Sequence, residues 1–214
     1  MSDVEGVVDL FLAGAHLVAS AIAEEAVGAA WDRPSVLSSQ SVGGVASHLA
    51  RGGVWVVGDY LDGGTPSGPV QFETAGAYFA TVANTMTDEE HRAVRERGAS
   101  VAAAGHAEVV TTLVSRLEVL ERRIQSLPVD HLISVISGKV MRLSDYLVTR
   151  IVEQTVHLDD LARSVDRVPW PVLEGATDIT IAVGGEIGRR RYGATAMTRA
   201  LYRDDFAEQV LPVL

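Results

Sequence analysis

Apolar residues recur along the first stretch of the chain at alternating steps of four and three, at Val4, Val8, Phe11, Ala15, Val18 and Ile22. That rhythm brings them onto one side of a helix, so a first core-facing helix is predicted, ending near Gly28. Turn-forming residues then fill 32–41, and Ser41 is placed to cap a second helix that carries Val45, His48, Leu49 and Trp55. Gly43, Gly44, Gly52 and Gly53 interrupt it, each at a cost of up to about 1 kcal/mol relative to alanine, which predicts close packing or a frayed end. Segment 62–69, with Gly, Pro, Ser, Thr and Asp at every position, reads as a loop. After it Phe72, Ala75, Phe79, Val82 and Met86 mark a third helix, and Thr87 with Glu90 forms a capping box that restarts the chain in a new direction.

One long element is expected from there, its second half tracked by Leu113, Leu117, Leu120, Ile124 and Leu127 and stopped by Pro128. Segment 133–137 alternates like a strand, but with no evident partner it is read as a connection. Ser144 is the predicted cap of a helix running to about Ser164, with Leu147, Ile151, Leu158, Leu161 and Val165 on its apolar track and polar Gln154 filling the slot between them. Two closing helices are predicted over 176–191 and 195–203. Four longer helices with short ones appended make an all-α bundle the economical architecture.

Composition narrows the function classes. With 214 residues and 47% hydrophobic content the chain can bury a core as a single domain over 1–214. A formal net charge of -10 opposes phosphate backbones and anionic membrane surfaces, so neither nucleic acid nor membrane is an expected partner. The cluster Arg189, Arg190 and Arg191 is read as a solvated helix end rather than an anion site. There is no cysteine, which removes disulfides, thiolate metal ligands and a protein thiol nucleophile together. The acidic N-terminus and the charge at Asp9 do not resemble a secretory signal, and no apolar run approaches the roughly 20 residues of a membrane span, so a cytoplasmic protein is expected.

The chemistry-bearing stretch lies in the helix predicted to end near Ser164. Glu153 and His157 stand four residues apart, one above the other on a helix face, with Arg150 and Asp160 on the same track beside the apolar one. A carboxylate and an imidazole at this spacing are two ligands of a divalent ion and need a third. His48 is the best candidate, next to Leu49 on a helix that should enter the same core. His16, His91, His106 and His131 have weaker cases, His91 and His106 being expected at the surface. Three ligands of type His, Glu and His leave one position of a tetrahedral ion open, which suits a catalytic zinc. Asp160 and Arg150 would orient a ligand or steady a bound anion.

The stretch from Gly138 through Lys139, Met141, Arg142, Ser144, Asp145, Tyr146 and Leu147 to Arg150, Glu153, His157 and Asp160 resembles the metal-binding domain of mycothiol-dependent maleylpyruvate isomerases, which are DinB-like four-helix bundles. Trp31, Pro34, Ser41, Val45, Ser47, His48 and Leu49 resemble that family's first-histidine motif, and Arg191, Tyr192 and Gly193 extend the likeness toward the C-terminus. Gln40, Gly43 and Gly44 depart from the family pattern, which has tryptophan and an acidic residue there. The resemblance implies that His48, Glu153 and His157 hold a divalent metal, zinc above all. It also implies mycothiol, the small thiol of actinobacteria, as cosubstrate. The activity implied is a mycothiol S-transferase or a mycothiol-dependent isomerase acting on a small electrophile, without the second, sterol-carrier-like domain of many relatives. The alternative is a non-catalytic helical module that binds a metal, ligand or partner; a homodimer is compatible with either, and no residue decides it.

Overall fold

The computed structural model describes residues 4–128, 130–203, 207–208 and 210–213. The N-terminal stripe winds into α1 (Val4–Ile22), with Phe11, Ala15, Val18 and Ile22 fully buried. The chain does not stay helical to Gly28 in one piece. A turn at 23–24 breaks it, and a single short helix α2 (Glu25–Ala29) follows.

Ser41 caps α3 (Val42–Ala50) as expected, its side chain accepting from the Gly44 amide at 3.0 Å. The glycines of this helix serve close packing. A Cβ on Gly43 would fall 2.5 Å from the Trp31 ring, and one on Gly98 of α6 (Asp88–Ala102) would fall 3.2 Å from the Gly44 carbonyl oxygen. Trp31 is fixed over this contact by its indole N–H, which donates to the Ala102 carbonyl at 3.0 Å. Beyond Ala50 the helix loosens into a π turn over Arg51–Trp55 and tightens again as α4 (Val56–Asp62).

After the loop come α5 (Ala75–Thr85), capped by Thr74, and then α6, where the predicted capping box of Thr87 and Glu90 is formed. The long element expected next is in fact two helices. Gly105, at φ +89, turns the chain between α6 and α7 (His106–Gln125), a backbone conformation that side-chain-bearing residues rarely adopt. The segment read as a connection is also corrected. Residues of β1 (Leu132–Ser134) pair antiparallel with β2 (Val140–Arg142), Ile133 lying opposite Met141, so the partner was only six residues downstream. Helix α8 (Leu143–Ser164) starts one residue before the predicted cap; Arg142 occupies the capping position without a side-chain bond, and the Leu143 amide donates to the His131 carbonyl at 2.8 Å.

The fold is all-α apart from this two-stranded ribbon. Helices α1, α3 with its π turn and α4, α7, and α8 form the bundle around one core, in which Leu49, Leu113, Leu147, Ile151, Leu158 and Leu161 are fully or almost fully buried. Helix α5 packs against α8 and α9 (Glu174–Tyr192), and α6 lies along α3. Of the two closing helices, α9 is longer than predicted and α10 (Ala194–Tyr202) is short. Arg190 pairs with Glu186 at 2.7 Å and Arg191 donates to the Val213 carbonyl, so the arginine cluster closes a helix end. No helix among the described residues is long and apolar enough to cross a membrane.

Candidate metal centre

Helix α8 carries two tracks side by side. Leu147, Ile151, Gln154, Leu158 and Leu161 face the core, while Tyr146, Arg150, Glu153 and His157, at steps of four, three and four, turn toward α3 and α5. Helix α3 presents His48 in its last turn, just before the π turn begins. The structure thereby brings His48, Glu153 and His157 together from positions 105 and 109 residues apart in sequence (153 less 48, and 157 less 48).

The geometry is that of one shared point. Glu153 Oε2 lies 3.6 Å from His48 Nε2 and 3.5 Å from His157 Nε2, and the three donor atoms fall within 4.8 Å of one another. Two imidazoles and a carboxylate around a tetrahedral ion, each about 2.0 to 2.1 Å from it, stand about 3.3 Å apart; the two carboxylate–imidazole distances are within a few tenths of an ångström of that, and the imidazole nitrogens, within 4.8 Å of each other, would close on a zinc-sized ion by moving together by up to about 1.5 Å. The rings of His48 and His157 are perpendicular with centroids 4.9 Å apart, which lets both Nε2 atoms aim inward without stacking. All three side chains are about one-fifth to one-quarter exposed, enough for an ion to enter from the adjoining cavity.

The groups behind these three side chains are as specific. His157 Nδ1 is 2.9 Å from Asp160 Oδ2, a carboxylate that selects the tautomer presenting Nε2 to the site. Arg150, buried, donates from Nη1 to the Gly52 carbonyl at 2.6 Å and from Nε to Thr149 Oγ at 2.9 Å, and its Nη2 stands 4.0 Å from Glu153 Oε1. Burial pushes the Glu153 carboxyl up, but the two imidazoles and Arg150 outweigh it and hold the pKa well below the usual carboxylate range. Burial pushes His157 down, and the Asp160 and Glu153 carboxylates more than reverse it, raising the pKa to about 9. A protonated His157 ring is therefore held between the Asp160 and Glu153 carboxylates.

The site opens into a cavity of about 570 Å³ between α3, α5, α6 and α8, within the range of small-molecule pockets. Tyr78, Phe79, Val82 and Met86 form an apolar wall, and Tyr60 and Tyr146 contribute phenols beside Arg150. Sequence reasoning missed these tyrosines, although Tyr146 stands one turn before Arg150 on the very track that carries Glu153 and His157. Of the other histidines, His16 pairs with Glu121 at 3.3 Å and His91 is exposed on the cavity rim. His106 is not a surface residue as expected; its Nε2 lies 2.7 Å from the Ile22 carbonyl and its ring packs on Trp31, so it braces the fold.

A family profile described as the mycothiol maleylpyruvate isomerase N-terminal domain matches residues 12–162. The chain belongs to that family. No curated protein and no solved structure matches it. The family span runs from within α1 almost to the end of α8 and contains all three convergent residues, while α9 and α10 lie outside it.

Proposed function

We propose that the protein is a zinc-dependent mycothiol S-transferase or mycothiol-dependent isomerase, in which the thiol of mycothiol adds to a small electrophile held in the cavity. The observation that carries this reading is the convergence of His48, Glu153 and His157 on one point at the mouth of a pocket large enough for a ligand. Family membership supports mycothiol as the thiol, and the absence of cysteine agrees, since the chain has no thiol of its own to offer. When bound, a zinc ion supplies a Lewis-acidic position that lowers a thiol's pKa and keeps it as thiolate at neutral pH.

His48, Glu153 and His157 are the residues that hold the ion in this reading, with Asp160 keeping the His157 Nδ1 proton on the side away from it. Three protein ligands leave one coordination position for the thiol. Tyr60, Tyr78 and Tyr146 stay protonated at neutral pH, because burial pushes the first up, the second to about 12 and the third well above the ordinary phenol value. These three tyrosines line the cavity with their protons in place, so a phenol O–H is available to donate to a substrate oxygen on which charge grows. Phe79, Val82 and Met86 exclude water from the same volume and favour an electrophile with an apolar body.

The test is thiol consumption by zinc-loaded protein with mycothiol and a reactive acceptor such as a bimane or a dinitrobenzene. Turnover that disappears in Glu153→Gln and on chelation supports the reading. Turnover indifferent to both rejects it, and zinc binding without any turnover leaves a metal-binding module that is not an enzyme for these acceptors.

A further inference from the structure

Gln154 is used by nothing in the proposed chemistry, yet it lies in the middle of the apolar track of α8 and is 2% exposed. A leucine would continue that track; a buried carboxamide is costly unless its polar atoms are bonded. Its Nε2 donates to the Gly53 carbonyl at 3.0 Å and lies 3.4 Å from the Phe11 carbonyl. Space for the amide is made by Gly14 on α1, where a Cβ would come within 2.2 Å of Gln154 Oε1.

Gly53 belongs to the π turn that begins three residues after His48. Such turns close their backbone bonds over five residues instead of four, and they concentrate at functional sites because they displace the chain by one residue. The preceding carbonyl, Gly52, is held by Arg150. Two side chains of α8, at 150 and 154, thus grip two consecutive carbonyls of the π turn, and Glu153 stands between them in sequence. The two halves of the metal centre are joined through these bonds rather than through apolar packing alone.

We propose that Gln154 is a positioning residue, which by binding the Gly53 carbonyl keeps the π turn in register with α8 and so holds His48 Nε2 within ligand distance of Glu153 and His157. The proposal rests on reading those three as metal ligands. The 3.6 Å between His48 Nε2 and Glu153 Oε2 is already slightly wider than the roughly 3.3 Å edge of a tetrahedral zinc site, so a further drift of the π turn removes one ligand of three.

The experiment compares wild type, Gln154→Met and Ile187→Ala. Methionine fills the slot without a donor, and Ile187, 1% exposed in α9 and outside the cavity lining, reports what a general loss of stability does. Zinc affinity is measured by chelator competition well below each melting temperature, and the visible spectrum is taken at saturating cobalt. Gln154→Met is expected to bind zinc about 10- to 100-fold more weakly and to show a changed cobalt spectrum, while Ile187→Ala melts earlier with affinity and spectrum intact. Should the methionine protein fail to fold, Gln154→Asn, which keeps the amide but stops one methylene short of Gly53, is read in the same way. Wild-type affinity and spectrum in the Gln154 variant overturn the proposal and leave the ligand assignment standing, whereas wild-type protein that takes up no metal overturns both.

Discussion

Zinc uptake by the wild-type protein should strengthen about tenfold for each pH unit between pH 7 and pH 9 and level off above that. In the metal-free site burial disfavours the charged His157 ring, but Asp160, 2.9 Å from Nδ1, and Glu153, 3.5 Å from Nε2, more than offset it and raise the pKa from 6.5 to about 9. A proton must therefore leave His157 before its Nε2 can serve a cation. At pH 7 that competition weakens binding about a hundredfold relative to the plateau above pH 9, or roughly 2.7 kcal/mol. The metal-free fold responds in the opposite sense. A group whose pKa is raised on folding contributes stability that is complete below its unfolded value, near 6.5, and is lost as the pH climbs through about 9, so the metal-free protein should melt earlier at pH 9 than at pH 6. Chelator competition at three pH values gives the slope, and calorimetry in two buffers of different ionisation enthalpy should find close to one proton released per zinc at pH 7. In Asp160→Asn the levelling-off should move to lower pH, which a background titration of bound water would not reproduce. A flat affinity from pH 7 to pH 9, or binding without proton release, would refute the reasoning.

Gly14→Ala should destabilise the protein by about 1 to 3 kcal/mol in urea unfolding, because its Cβ would stand 2.2 Å from Gln154 Oε1 and the buried amide has nowhere equivalent to go. Leu158→Ala, at a position 2% exposed on the core-facing side of α8, should cost about 2 to 5 kcal/mol in the same assay; a loss below 1 kcal/mol would mean that the bundle core can collapse around the vacancy. Thr87→Ala removes the acceptor for the Glu90 amide at 3.2 Å, and amide exchange in the first turn of α6 should quicken while the rest of the chain keeps its protection; unchanged exchange there would show that the cap is dispensable.

Much of this architecture was legible because periodicity and caps act locally. The stripe through Phe11, Ala15, Val18 and Ile22, the cap at Ser41, the capping box at Thr87 and Glu90, and the track from Leu147 to Leu161 each appear where the spacing put them. What stayed hidden depended on contacts distant in sequence or on backbone conformation. The turn at Gly105 looks in sequence like any helix-tolerated glycine, and only its positive φ splits α6 from α7. The strand at 132–134 needed a partner that is itself three residues long. The four-residue step from Glu153 to His157 was readable on one helix, but nothing local announces that His48 meets them, because its position depends on a π turn held by Arg150 and Gln154. His48 was singled out only as the best of six histidines, by its place beside Leu49 on a core-facing helix, and the resemblance pointed to the same residue. The tyrosines were missed because an aromatic at helical spacing looks like core until the cavity beside it is seen.

The central claim, that these three side chains hold one divalent ion, is tested most directly by the metal content of protein purified without chelator. Close to one zinc or comparable ion per chain is expected in the wild type, with almost none in folded His48→Ala or His157→Ala protein. Wild-type protein free of metal, or full occupancy in either variant, would contradict it.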